Sequence, residues 1–321
     1  MLLCIYLGKI MTFRFRLKVW IGLFYRLQKV MAKGVLDIGG FTIQKRIGIG
    51  ARSTIYLATD DDNKNQLIAL KRVIHERPED SRIFEQVETE FHVAKKVDHP
   101  YIRKCFKIKK IRHMFQVKEM LLSMEHFEGS TLEETPTLSL LDVLLVFRMV
   151  ATGLNAMHQA GFVHCDMKPN NILMNKAGTI KIIDLGQSCK IGTIKERIQG
   201  TPDYIAPEQV NRKPLNPKTD IFNLGATMYW ALTGKNIPTL IPKKDGMGLL
   251  LPQDRQAPHE VRNQIPESIS KIVMECVDDN PMNRPQNMPV LISKLDEIVH
   301  SLLGNKIKLT KNAANNNTDS Q

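Results

Sequence analysis

The stretch that most narrows what this chain can fold into is "VHCDMKPNNILMNKAGTIKIIDLG", from Val163 to Gly186. It spaces charged and amide side chains between two short apolar runs. The runs flank Ala177-Gly178, a turn signal, so the spacing predicts a hairpin. That hairpin returns Asp184, thirteen positions after Asn171, to the neighbourhood of Asn171. Asp166 can accept a proton from an attacking hydroxyl, and Asn171 and Asp184 offer hard oxygen ligands to Mg²⁺. Lys168 adds a positive charge beside them. One aspartate in a loop means little; the spaced set is specific.

The rest of the chain is consistent with chemistry on phosphate. "FTIQKRIGIGARSTIYLATD" reads as two strands joined by a glycine-rich turn, where Gly48 and Gly50 let backbone amides approach an anion. Alone, that turn is equally well a plain β-turn. The next strand, "NQLIALKRVI", carries Lys71 between apolar neighbours, within reach of the same phosphates. A helix follows over "SRIFEQVETEFHVAKKVDHPYI", with Phe84, Val87, Phe91, Ala94 and Val97 as its apolar stripe. Glu90 on this helix either turns inward toward Lys71 or is one more surface acid. A buried strand, Leu121 to Met124, leads into a polar crossover at Glu125 to Ser130. The helix beyond it, from about Leu140 to Ala160, is apolar nearly all round and belongs in a core.

Taken in order, these segments resemble the eukaryotic-type protein kinase family, over about residues 38 to 300. The glycine loop is "GIGARSTIY", the strand lysine lies in "IALK", the catalytic loop is "HCDMKPNN" and the metal-binding triplet is "DLG". "GTPDYIAPE" ends the activation segment, "DIFNLGATMYWALTG" is similar to the family's central helix, and "NPMNRP" to its late arginine motif. Lys168 and "GTPDY" resemble the serine/threonine branch, and the compact length resembles bacterial members.

The resemblance implies an α+β, two-lobed kinase fold: a small, mostly antiparallel β lobe with one key helix, a larger α-helical lobe, and an active site in the cleft between them. It implies a small lobe at about 38–124, a hinge at 125–130 and a large lobe at 131–303. ATP and Mg²⁺, or Mn²⁺ in its place, are the implied cofactors, and serine or threonine hydroxyls of proteins the implied acceptors. Asp166 would be the catalytic base, with Lys168 beside it, and Asn171 and Asp184 the metal ligands. Lys71, paired to Glu90, would grip the α- and β-phosphates. Glu125 and Phe127 would present backbone groups to adenine, with Met124 behind, and Ile47, Gly48, Gly50, Ser53, Ile55, Ala69 and Leu173 complete the implied nucleotide site. Glu208 and Arg284 would form a buried salt bridge, Asp220 would brace the catalytic loop, and the Thr201 hydroxyl would contact Asp166 and Lys168.

Three positions depart from the family pattern. Ser53 replaces a third glycine, Leu185 replaces phenylalanine in "DLG", and Cys165 replaces an arginine that in many relatives pairs with a phosphorylated activation-loop residue. With no charge at 165, the activation loop is expected to hold by packing and local contacts, without phosphorylation. A pseudokinase scaffold would be favoured by loss of Lys71, Asp166, Asn171 or Asp184, and none is lost. A small-molecule phosphotransferase of similar fold would share the lysine and aspartates but would not need "GTPDYIAPE".

Charge and composition limit the partners. Of the formal net charge of +12, seven Lys or Arg and no acid fall within residues 1–33. No nucleic-acid-reading motif accompanies them, so a nucleic-acid partner is not expected. Lys18, Gly22, Arg26, Lys29 and Lys33 share one side of a helical wheel, and Leu17, Trp20, Ile21, Phe24, Leu27 and Met31 the other. This pattern over residues 17–33 suits an anionic membrane surface or a partner's groove. Packing on the chain's own domain, or initiation at Met31, are the plain alternatives. Uncharged runs there are too short to span a bilayer, and no signal-peptide pattern appears. Five scattered cysteines without C-x-x-C spacing read as reduced thiols in the cytoplasm. The domain bounds expected are thus a basic extension over 1–37, the kinase domain over 38–303, and a polar, disordered tail over 304–321.

Overall fold

The computed structural model describes residues 36–50, 52–62, 66–76, 81–135, 137–241 and 254–318, the last of these from 305 onward by backbone alone. The helix expected over 17–33 lies outside the described residues. Two compact units emerge, one of Met1–Asp80 with Lys107–His126 and one of Ser81–Phe106 with Phe127–Gln321.

Alternating β-branched and polar residues build the first unit as a sheet. Its strands are β1 (Leu36–Ile38), β2 (Phe41–Ile49), β3 (Thr54–Asp60), β4 (Gln66–Ile74), β5 (Cys105–His113) and β6 (Gln116–Glu125), in the order β1-β2-β3-β4-β6-β5. The pairs β1–β2, β2–β3, β3–β4 and β4–β6 are antiparallel. The expected glycine turn joins β2 to β3 and is closed by the Gly50 N–H, which donates to the Ser53 carbonyl at 2.8 Å. Central β4 and β6 carry the core, with Ile68, Leu70, Val73, Met120, Leu121, Leu122 and Met124 all buried. Lys71 lies opposite Ile55 on one side and Leu122 on the other, so apolar strands flank it as the sequence suggested.

The second unit is mainly helical. Its elements are α1 (Ser81–Lys96), β7 (Ser130–Thr131), α2 (Leu140–Gln159), β8 (Phe162–Val163), β9 (Ile172–Met174), β10 (Ile180–Ile182), β11 (Cys189–Lys190), α3 (Pro207–Val210), α4 (Pro217–Thr233), α5 (Pro258–Val261), α6 (Glu267–Cys276) and α7 (Met288–Thr318). Ser139 starts α2 by accepting from the Asp142 N–H at 3.2 Å, an N-cap. From there Val143, Leu144, Val146, Phe147, Val150, Ala151, Leu154 and Met157 are buried. α2 is the helix, among the described residues, long and apolar enough to cross a membrane; half of that window is buried inside the protein. Met288, Leu291, Leu295 and Val299 of α7 are buried at the other end of the chain, and Arg148 of α2 pairs with Asp296 of α7.

Two expectations change on contact with the structure. The buried stripe of α1 runs through Phe84, Val87, Glu90, Val93 and Ala94, whereas Phe91 is only half-buried, with the Lys95 ammonium 5.8 Å from its ring centre. The inward face is centred on Val87, Glu90 and Ala94, and Phe91 stands at its edge. In the tail, where disorder was expected from residue 304, helical backbone continues to Thr318. No proline interrupts the sequence after Gly304, and Lys, Leu and Ala there favour helix.

Candidate active site

The expected catalytic loop is built on a buried carboxylate. Asp220, near the start of α4, is fully buried. Its Oδ2 accepts from the His164 N–H at 2.9 Å and lies 2.7 Å from His158 Nε2. Its Oδ1 accepts from the Cys165 N–H at 2.8 Å. On the other side of the same residue, the Cys165 carbonyl accepts from Gln209 Nε2 at 2.7 Å. Cys165 is thereby held at φ +67°, a left-handed conformation unusual for a residue with a side chain. This turn sets the direction in which Asp166 leaves. The bracing role expected of Asp220 has its geometry here.

Asp166 is itself nearly buried. Its N–H donates to His164 Nδ1 at 3.2 Å. Its carboxylate Oδ1 accepts from both the N–H and the hydroxyl of Thr201, at 2.9 and 2.8 Å. Lys168 Nζ stands 3.1 Å from Oδ2 and donates to Thr201 Oγ1 at 2.8 Å. Asp166, Lys168 and Thr201 therefore form one closed set. Asn171 joins it by donating from Nδ2 to the Asp166 carbonyl at 2.7 Å.

The predicted hairpin is present. β9 and β10 pair antiparallel with Ile172 opposite Ile182, and the Asn175 side chain caps the turn by accepting from the Ala177 and Thr179 N–H groups at 3.0 Å. Beyond the ladder, the Ile183 N–H donates to the Asn171 carbonyl at 2.9 Å. Asp184, the next residue, adopts φ 59°, again left-handed. The chain is thus reversed where Asn171 and Asp184 stand, one residue apart across the pairing.

A hard cation suits this donor set. The Asn171 NH₂ is spent on Asp166, so the atom it has to offer is its oxygen; Asp184 adds a carboxylate. Among the described residues no group of three His, Cys, Asp or Glu could cage a metal. Mg²⁺ takes few oxygens from protein and the rest from phosphate and water, so two oxygen donors are enough for it.

The remaining expected residues divide between the units. Ile47, Gly48, Gly50, Ser53, Ile55, Ala69, Lys71, Met124 and Glu125 belong to the first, with Ala69 paired opposite Met124. Glu90, Phe127 and Leu173 belong to the second. Glu90 is buried, so it is no surface acid, and within its unit Arg103 Nη2 approaches it at 3.4 Å. Glu208 and Arg284 form the expected buried ion pair, with oxygen–nitrogen distances of 2.7 and 3.0 Å.

Sequence reasoning missed Gln209. Its amide donates to Cys165 and to the Gln199 carbonyl, and its oxygen accepts from the Ala206 N–H at 3.0 Å and from Asn223 Nδ2 at 2.9 Å. One side chain thus ties the catalytic loop, the segment before Thr201 and α4 together. Its only sequence signal is an amide inside "IAPEQV". The pairing of Cys189 with Cys165 was missed too, since the two stand 24 residues apart.

Known proteins match this chain along its length. The pattern of the protein kinase domain family matches residues 41–295. A probable serine/threonine-protein kinase of Clostridium acetobutylicum is 26% identical over 280 residues, covering 84% of this chain and 42% of that protein. The serine/threonine-protein kinase nekl-2 of Caenorhabditis elegans is 27% identical over 279 residues, covering 77% of this chain and 74% of that one. PknA of Mycobacterium tuberculosis is 26% identical over 259 residues, with coverages of 78% and 59%. The chain belongs to the protein kinase family, in the eukaryotic-type group whose serine/threonine relatives include bacterial ones. It spans less than half the length of the clostridial relative.

Proposed function

We propose that this chain transfers the γ-phosphate of ATP to serine and threonine hydroxyls of protein substrates, in the cytoplasm, and that it does so without phosphorylation of its own activation segment. The observation that carries the reading is the closed set of Asp166, Lys168 and Thr201, joined by Asn171. When bound, Mg-ATP supplies the transferable group and the cation's charge. Asp166 accepts the proton of the acceptor hydroxyl on its carboxylate, whose Oδ1 is held by Thr201 and whose Oδ2 lies beside Lys168. Lys168 neutralises charge that develops on the phosphoryl oxygens, and the oxygens of Asn171 and Asp184 would hold the metal. Lys71 is assigned to the α- and β-phosphates, and the strand and hinge residues Ile47, Gly48, Gly50, Ser53, Ile55, Ala69, Met124, Glu125, Phe127 and Leu173 to the rest of the nucleotide.

The test is transfer of labelled phosphate from ATP to a generic basic protein, with and without Mg²⁺, followed by identification of the labelled amino acids. Phosphoserine and phosphothreonine, formed only with the metal, are expected. No transfer, or label on tyrosine alone, would overturn the reading.

A further inference from the structure

Two thiols meet beside the loop that carries Asp166. β8 and β11 pair antiparallel with Cys189 opposite Val163. Cys165, two residues beyond Val163, comes round to the same side, and its Sγ stands 3.8 Å from that of Cys189. Cys165 is buried in an apolar cluster with Val163 and Leu215, and Cys189 packs against that cluster from outside. Among the described cysteines, Cys105, Cys165 and Cys276 are buried and Cys189 is the accessible one.

The two sulfurs are chemically unequal. The hydrogen bond to Cys165, together with the Lys195 ammonium and the Thr193 hydroxyl, holds Cys189 below the ordinary thiol range against the opposing effect of burial. Cys165 is pushed the other way by that same bond and by its burial. Cys189 is only partly buried, so its sulfur is the one an oxidant reaches first, and the buried Cys165 sulfur is its resolving partner. Cys276, by contrast, is pushed up to about 12 by burial and is inert.

We propose that Cys165 and Cys189 form an oxidisable dithiol site that takes a hydroperoxide as co-substrate and closes to a disulfide, lowering phosphotransfer at Asp166. The Cys189 thiolate attacks one oxygen of the hydroperoxide. The O–O bond breaks, the departing oxygen leaves with a proton as alcohol or water, and Cys189 becomes a sulfenic acid. The Cys165 sulfur then attacks the Cys189 sulfur. The S–O bond breaks, its oxygen leaves as water with the Cys165 proton, and the S–S bond forms. Two thiols and one hydroperoxide give one disulfide, one alcohol or water and one further water, with two electrons passing from sulfur to the O–O bond. An external dithiol reverses it by exchange.

The bond reaches the active site through the chain. A disulfide spans about 2.05 Å between its sulfurs, so the pair must close by nearly half its present separation. That movement falls on the residue directly before Asp166, whose peptide is clamped by Asp220 and Gln209. Displacements of about 1 Å at a catalytic group cost about a hundredfold in rate.

The effect on turnover rests on the phosphotransfer reading above; the cross-link does not. The experiment treats pre-reduced, full-length protein with hydrogen peroxide, maps its peptides without reductant, and assays transfer before treatment, after it, and after dithiothreitol. Peptides bearing Cys165 and Cys189 should appear joined and lighter by two hydrogens. Transfer should fall about tenfold or more and return with dithiothreitol, while Cys189→Ser stays active throughout. Peroxide-treated protein without this cross-link, cross-linked protein with undiminished transfer, or equal inactivation of Cys189→Ser would each overturn the proposal. No transfer by the reduced protein would sink the phosphotransfer reading alone, and the peptide map would still decide the thiol site.

Discussion

Asp220 fixes Cys165 by its backbone: Oδ1 accepts the Cys165 N–H at 2.8 Å, while Oδ2 serves His164 and His158. A carboxylate this deep survives as an anion only because its surroundings donate to it. Burial pushes its pKa up, but the His158 bond, the charges of His158 and His164 and the Cys165 N–H more than offset this and hold it below the usual range. A depressed carboxylate contributes stability that is present above its unfolded pKa of about 3.9 and is lost as pH falls through the lower folded value. Asp220→Asn places an NH₂ against at least one N–H donor whichever way the amide turns, and should cost about 2–4 kcal/mol. Urea midpoints should show that loss near neutrality, and a flatter acid limb below about pH 4. Unchanged midpoints would mean the brace carries little.

Asp166→Ala and Asp184→Ala should each lower turnover by about a thousandfold or more, since positioned charge supplies most of the catalysis in this chemistry. Thermal unfolding monitored alongside should show both variants folded. An Asp184→Ala protein of near-normal activity would show the metal site misassigned.

Gly225 of α4 packs directly against the end of α6. A Cβ there would stand 2.4 Å from Cys276 Cβ and 3.0 Å from Val277 Cγ1, and backbone lies just behind at 3.3 Å. Gly225→Ala should therefore destabilise by about 1–3 kcal/mol despite alanine's better helix propensity. Gly304→Ala is the control: nothing stands within 4 Å of its Cβ, so propensity alone acts and stability should rise slightly. A loss of stability at Gly304 equal to that at Gly225 would refute the packing argument.

The parts legible from sequence were those written locally. Turn residues and period-two runs foretold the hairpin that places Asp184 by Asn171, and the same signals gave the turn between β2 and β3. The pairing of Glu208 with Arg284, 76 residues apart, came from resemblance, because no local pattern encodes it. What stayed hidden joins side chains that no motif in the sequence links: Gln209 with Cys165, Arg103 with Glu90, Cys189 with Cys165. Phe91 misled for another reason, since an aromatic at helical spacing looks like core until the buried Glu90 shows which face turns inward.

The activation segment should hold without phosphate. An arginine at 165 would be a buried charge awaiting a partner, and a phosphate on the segment would supply one. Cys165 sits instead in an apolar cluster, and the segment is tied elsewhere. The Gly192 N–H donates to the Leu215 carbonyl at 2.7 Å, the Leu215 N–H donates to the Thr193 carbonyl at 3.0 Å, Lys195 donates to the Gln187 carbonyl, and Gln209 holds Gln199. Ser188 is buried, which hides its hydroxyl from a modifying enzyme. Phosphatase-treated protein should keep most of its transfer activity, and so should Ser188→Ala and Thr193→Ala; Thr201 is left intact because it bonds to Asp166. Activity lost on dephosphorylation and regained on phosphorylation at Ser188 or Thr193 would defeat this argument. The reader of such a phosphate would then be Arg82 or Arg197, which line the same cleft as Ser188 and Thr193, rather than Arg103, already engaged with Glu90.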